Sequence, residues 1–116
     1  MTLQDFYQAV GGSHSEVLDR LLDEQRVLKY LRRFTTTTDY DEMLQAIEAE
    51  DWETAFRSSH SIKGMALNLC LGDLAKSSSE LCETMRHGAP TVDITPLLND
   101  VKEKYQFALN QIEQLD

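Results

Sequence analysis

The stretch EVLDRLLDEQRVLKYLRRF, residues 16–34, most restricts the fold of this chain because its apolar side chains recur with the period of an α-helix. Its leucines return to one stripe of the helix and charged residues occupy the rest. With five glycines and two prolines in 116 residues, and no sustained alternation of apolar and polar residues, strands have little support. The sequence therefore predicts an all-α chain. The stripe of this helix, the second in the chain, comprises Leu18, Leu21, Leu22, Leu28 and Leu31.

Five further helices are predicted from similar periods and from signals at their ends. Thr2, Asp51 and Thr95 are suited to cap the first, fourth and sixth helices. Gly88 is suited to end the fifth helix, and the pair 72–73 to mark a break before it. The predicted ranges are 3 to about 10, 41 to about 50, 52 to about 71, 74 to 87, and 96 to the end of the chain.

Long amphipathic helices with short connections bury their apolar stripes most simply in an antiparallel bundle. We therefore predict an antiparallel four-helix bundle made of the second, fourth, fifth and sixth helices. The short first and third helices would pack on it as one or two additional short helices. A chain of 116 residues is large enough for a single core, so residues 1–116 are predicted to be one domain.

Charge and composition exclude several classes of partner. Twenty acidic against eleven basic residues give a formal charge of -9, which disfavours nucleic acid and anionic membrane surfaces. The chain has no apolar run long enough to span a bilayer and no signal-peptide pattern at its start, so we expect a cytoplasmic protein. The spacing of Cys70 and Cys82 is not that of a zinc or redox site, so we expect buried reduced thiols and no metal centre.

The motif HSIKG, residues 60–64, lies in the middle of the predicted fourth helix and contains residues that packing does not explain. Glycine in a helix interior costs about 1 kcal/mol relative to alanine. His60 lies at the edge of the inward stripe, with Lys63 and Gly64 one turn further along the same ridge. A neutral imidazole is a nucleophile suited to a phosphoryl group. Lys63 could then offset the phosphoryl charge, and Gly64 could give a partner clearance.

HSIKG followed by MALNL resembles the HxxKG signature of histidine-containing phosphotransfer (HPt) domains, which are helical bundles. The resemblance extends from Phe56 to about Arg86. It implies a phosphorelay intermediate that is a phosphocarrier without its own ATP site. His60 would take a phosphoryl group from an aspartate of one response-regulator receiver domain and pass it to another. Lys63 would steady that group and Gly64 would leave it accessible.

The resemblance also indicates partners and cofactors. Receiver domains are the expected partners, with a hybrid histidine kinase as a further one. No cofactor is expected on this chain, since Mg²⁺ would belong to the partner receiver. Where the family usually has a second glycine, ten residues after the histidine, this chain has Cys70. The residues expected to contact a partner are Phe56, Arg57, Leu67 and Leu71, with Arg86 lining the site from the next helix. Leu67 and Leu71 could instead close the core at the edge of the bundle, without forming an exposed apolar patch.

Two other classes of function stay open at this point. A helical adaptor could bind a receiver or another partner without phosphorylation of His60. A dimeric histidine phosphotransferase, with a bundle made from two chains, would carry a histidine on each side of the dimer. A chain that supplies its own four helices instead predicts a monomer. His14 and His87 are expected at helix ends and without chemistry.

Overall fold

A computed structural model describes residues 1–115 of the chain, and these residues contain helices and no strand. The end of the predicted sixth helix and of the predicted domain, residue 116, lies outside this range. None of the helices in residues 1–115 is both long and apolar enough to span a membrane. The helices are α1 (Leu3–Ala9), α2 (His14–Leu21), α3 (Glu24–Phe34), α4 (Asp39–Glu48), α5 (Trp52–Asn68), α6 (Gly72–Thr84) and α7 (Thr95–Glu113).

Helices α4 to α7 pack as successive neighbours and form the bundle. The short connections 49–51 and 69–71 turn α4 back on α5 and α5 back on α6. The rings of Tyr40 on α4 and Tyr105 on α7 stack at 3.9 Å between centroids, which joins the first and last helices of the bundle. The prediction of an all-α bundle is confirmed. Its centre is apolar and includes Met43, Ala55, Ile62, Leu74, Leu81 and Val101.

The prediction of one long second helix is wrong, because the chain turns between residues 21 and 24. The backbone of Leu22 adopts a φ of 78°, and Asp23 caps a new helix by accepting a hydrogen bond from the amide of Arg26 at 2.8 Å. Leu22 was expected in the buried stripe and is instead 72% exposed. The buried positions of α2 and α3 include Val17 and Val27, which the leucine stripe did not contain. Within residues 1–115, the additional helices outside the four-helix bundle are therefore three, α1, α2 and α3, where one or two were predicted.

Several other helix boundaries differ from the sequence prediction. Helix α6 ends at Thr84 with Met85 in the capping position, so the prediction that Gly88 ends this helix is wrong. The third predicted helix begins earlier, at Asp39, and α4 belongs to the bundle because it packs along α5. Gly72 and Asp73 are the first residues of α6 and do not separate it from a later start. Thr95 is the first residue of α7, with Ile94 in the capping position. The carboxylate of Asp93 accepts a hydrogen bond from the Thr95 amide at 3.0 Å. The side chain that caps α7 therefore belongs to the residue before Ile94.

The turn between α1 and α2 packs closely on the turn between α5 and α6. Tyr7 donates a hydrogen bond from its hydroxyl to the carbonyl of Leu69 at 2.8 Å. A Cβ at Gly12 would collide with the carbonyl oxygen of Cys70, so this approach of two backbones requires glycine. Cys70 itself has a φ of 57°, in the left-handed region that glycine adopts most readily. The α5–α6 hairpin therefore forms with cysteine where the HPt pattern usually has glycine.

Candidate functional site

The HSIKG motif lies in the middle of α5, whose start is fixed by Asp51. The carboxylate of Asp51 accepts a hydrogen bond from the amide of Thr54 at 3.3 Å, and hydrogen bonding to Thr54 lowers the pKa of Asp51. Ser59 and Ile62 are buried, whereas His60 between them is exposed. The expected position of His60 at the edge of the core and open to solvent is confirmed.

The imidazole of His60 stacks on the ring of Phe56, one turn earlier on α5. The two ring centroids are 5.9 Å apart and the ring planes differ by 23°. Phe56 is partly buried and packs against the apolar core. The guanidinium carbon of Arg86 lies 5.3 Å from the centroid of the Phe56 ring. This cation–π contact and the ring stack connect Arg86 to His60 through Phe56.

Arg86 is held by Glu83, a residue that the sequence analysis did not single out. Two parallel hydrogen bonds run from the Arg86 guanidinium to the Glu83 carboxylate, each at 2.9 Å. They lower the pKa of Glu83, and the positive charge of Lys63 acts in the same direction. Glu83 is therefore placed near Arg86 and Lys63. Glu83 lies near the C-terminus of α6 and Arg86 lies in the turn that follows it. Their opposite charges, three positions apart on the helix predicted over 74–87, were a signal that could have found this pair.

Gly64 has no role in the internal packing of the molecule. A Cβ added at this position would meet no atom within 4 Å. The space next to Gly64 is thus open, in contrast to Gly12 and Gly72, where backbone from another segment fills it. Lys63 is only partly buried beside it. The ridge formed by His60, Lys63 and Gly64, which we call the His60 ridge, is accessible along its length.

The expected partner-contact residues divide into two groups. Arg57 is exposed, and its guanidinium donates to the hydroxyl of Thr54 at 3.4 Å. Leu67 is 48% exposed at the far end of the His60 ridge. The placement of Leu71 on this surface is wrong, because its side chain is fully buried. Helix α5 ends at Asn68, and the turn that follows directs Leu71 into the core.

The remaining histidines and the cysteines lie away from this ridge or are buried. Cys70 and Cys82 are both buried and unpaired, as predicted. His87 is exposed beyond the end of α6. At the start of α2, Nε2 of His14 is 3.4 Å from a carboxylate oxygen of Glu24. Among residues 1–115, no group of three or more His, Cys, Asp or Glu side chains is arranged to hold a metal ion.

Comparison with known families agrees with this architecture. The family model described as "Hpt domain" matches residues 3–115, and the chain belongs to this family. Hpt domains are phosphocarriers in the phosphorelays of two-component signalling and interact with receiver domains and histidine kinases. The chain has no detectable match among the curated proteins or the solved structures.

Proposed function

We propose that this protein is a phosphorelay intermediate in which His60 carries the phosphoryl group. A ring nitrogen of His60 attacks the phosphorus of an aspartyl phosphate on a receiver domain, so that a P–N bond forms and the P–O bond to the aspartate breaks. The aspartate leaves as a carboxylate. The reverse reaction with a second receiver passes the phosphoryl group onward. The chain acts as a phosphocarrier and uses no ATP site of its own.

The observation that carries this proposal is the accessible His60 ridge in a chain of the Hpt domain family. His60 is the one exposed histidine that lies within a helix and has a cation and an open backbone position one turn away. Nothing in the core requires glycine at Gly64, so the cost of glycine within α5 fits a need for clearance outside the molecule. A receiver could bring its aspartate to the imidazole at this position.

The charges around His60 favour a phosphoryl group in a protein that is acidic as a whole. Within one turn of His60 along α5, the charged side chains are Arg57 and Lys63, and both are cations. Lys63 would offset the charge on the phosphorylated ring, and Arg86 would approach it over Phe56 from the turn after α6. Glu83 opposes this effect because its carboxylate attracts both Lys63 and Arg86.

The proposed partners are receiver domains and a hybrid histidine kinase, bound to the surface around His60. We assign Phe56, Arg57, Leu67 and Arg86 to this contact, with Leu67 as its exposed apolar part. Any Mg²⁺ needed for transfer would be held by the receiver. We further propose that the protein acts in the cytoplasm as a monomer, since one chain supplies all four helices of its bundle. Sedimentation as a dimer would contradict the monomer.

The experiment is phosphotransfer from a panel of phosphorylated receiver domains to the wild type, His60→Gln and His87→Gln. His87 is a matched control because it is also exposed but lies outside the His60 ridge. We expect acid-labile, base-stable label on the wild type and on His87→Gln, and none on His60→Gln. Binding of receivers without label on any of the three proteins would contradict the proposal and support a non-phosphorylated adaptor.

A further inference from the structure

A cavity of about 580 Å³ lies between the α2–α3 segment and the C-terminal half of α5. Its size is within the range that binds small organic molecules in proteins. The lining residues are Arg20, Leu21, Tyr30, Arg33, Phe34, Thr37, Met65, Asn68 and Leu69.

The cavity is separate from the His60 ridge. Its residues on α5, Met65 and Asn68, lie about 140° and 80° around the helix from His60. Neither His60, Lys63 nor Gly64 lines it. A ligand in this cavity would therefore leave the phosphoryl site free.

Among the described residues, the lining combines an apolar floor with positive charge only. Leu21, Phe34 and Met65 provide apolar surface, and no carboxylate of residues 1–115 lines the cavity. The two charged lining residues are both arginines, in a protein with a formal charge of -9. An apolar cation would be repelled here, and an anion without an apolar part would leave the floor unfilled.

Arg33 is the arginine best placed to bind an anion. Its guanidinium carbon lies 5.5 Å from the centroid of the Tyr30 ring, and it forms no ion pair with any of residues 1–115. Arg20 is already engaged, because it donates to the carbonyl of Leu67 at 3.0 Å and to the carboxylate of Glu16 at 3.3 Å. Arg33 thus keeps its donors available at the mouth of an apolar cavity.

We propose that this cavity binds a small organic anion with an apolar body, such as an aliphatic carboxylate or an aromatic sulfonate. The apolar body fills the floor formed by Leu21, Phe34 and Met65. The anionic group accepts charge-assisted hydrogen bonds from Arg33, which holds its guanidinium against Tyr30. Binding involves no covalent step and does not depend on phosphorylation of His60.

The first test is a fluorescence titration with 1-anilinonaphthalene-8-sulfonate, an aromatic sulfonate, on the folded full-length chain. We expect saturable binding at one site, and about tenfold weaker binding to Arg33→Gln because one charge-assisted interaction is lost. Arg32→Gln is the matched control, since Arg32 precedes Arg33 on the same exposed turn of α3 but does not line the cavity. Equal weakening in the two variants would overturn the proposal, as would absence of saturable binding.

Two further measurements locate the site and keep the test independent of any single variant. Decanoate should displace the fluorescent probe, whereas decanol, which has the same chain length and no charge, should compete weakly. Met65→Trp should abolish binding because the larger side chain fills the cavity, with far-UV circular dichroism and thermal melting confirming the fold. Probe binding that persists unchanged in Met65→Trp would place the ligand elsewhere and contradict the proposal. Failure of phosphotransfer would not affect these results.

Discussion

The ring of Phe56 lies against the imidazole of His60, with 5.9 Å between the two centroids. Because Phe56 is partly buried and also carries Arg86 on its ring, it can restrict the orientations of an otherwise exposed histidine. We therefore expect Phe56 to act as a positioning residue in the proposed phosphotransfer.

Replacing Phe56 with leucine keeps an apolar side chain and removes the ring stack. We expect the rate of phosphotransfer from a receiver to fall about two- to tenfold, in line with the free energy of an aromatic pair. Rapid-quench measurement of the label on His60 would give this rate, with the melting temperature as a check on the fold. A rate equal to that of the wild type, in a folded variant, would remove the positioning role.

The charge of Glu83 should set how far phosphoryl transfer proceeds. Glu83→Gln removes the carboxylate that holds Arg86 and attracts Lys63, so both cations become available to the phosphorylated ring. We expect the equilibrium constant for transfer from a receiver to His60 to rise about two- to fivefold, the effect of an exposed charge pair. Glu80→Gln, an exposed glutamate on the same helix, is the control and should leave it unchanged. An unchanged or lower constant in Glu83→Gln would show that Glu83 does not oppose phosphorylation.

Gly64→Ala should raise the stability of the fold and slow phosphoryl transfer. Because a Cβ at Gly64 meets nothing within the protein, the free energy of unfolding should increase by about 1 kcal/mol from helix propensity. The added methyl group occupies the approach to His60, so transfer from a receiver should slow by about tenfold or more. Denaturant titration and transfer kinetics on the same samples would measure both effects.

Ser61→Ala provides the control for Gly64→Ala. Ser61 is exposed on α5 next to His60, but it lies off the His60 ridge. We expect this variant to transfer phosphoryl groups at the wild-type rate. A Gly64→Ala protein that transfers equally fast would mean that the open space at Gly64 does not serve the partner.

Tyr7 should make the fold sensitive to alkali. Burial raises the pKa of Tyr7 well above its usual value, and its hydroxyl donates to the carbonyl of Leu69. In the unfolded chain the phenol ionises at about pH 10, whereas in the folded protein it stays neutral, so stability falls as the pH rises above about 10. At neutral pH, Tyr7→Phe should lower the free energy of unfolding by about 1 kcal/mol through the lost hydrogen bond.

The deficit of Tyr7→Phe relative to the wild type should therefore shrink as the pH rises from 9 toward 12, because phenylalanine has no proton to lose. Denaturant titrations at several pH values would measure it. Tyr30→Phe is the control, since Tyr30 is 37% exposed. A deficit in Tyr7→Phe that is independent of pH would contradict the account of Tyr7.

The sequence predicted the fold well where local signals and packing agree. The period of α5 and the cap at Asp51 placed the HSIKG motif correctly on a helix, with His60 exposed. The break at Leu22 was missed because the leucines of residues 16–34 fit one continuous helical stripe. Only the φ of 78° at Leu22 and the cap at Asp23 divide this segment into two helices. Helical periodicity alone does not register a single residue in an unusual backbone conformation.

The exposure of His60 was predicted correctly, whereas the placement of residues around it was predicted less well. Leu71 was placed on the surface by extending the α5 period past its end, whereas Cys70 turns the chain with a φ of 57° and buries Leu71. Glu83 was missed because its role depends on the packing of α6 against α5, which brings it near Lys63. Such contacts between helices are not encoded in the period of either helix.

The central claim is that His60 carries the phosphoryl group, and direct mapping of the modified residue tests it most closely. The wild-type protein would be phosphorylated by a receiver, digested at neutral to alkaline pH to preserve the P–N bond, and analysed by tandem mass spectrometry. We expect phosphate on His60 and on neither His14 nor His87. Phosphate on another residue, or none on His60 while a receiver binds and loses its own phosphoryl group, would contradict the account.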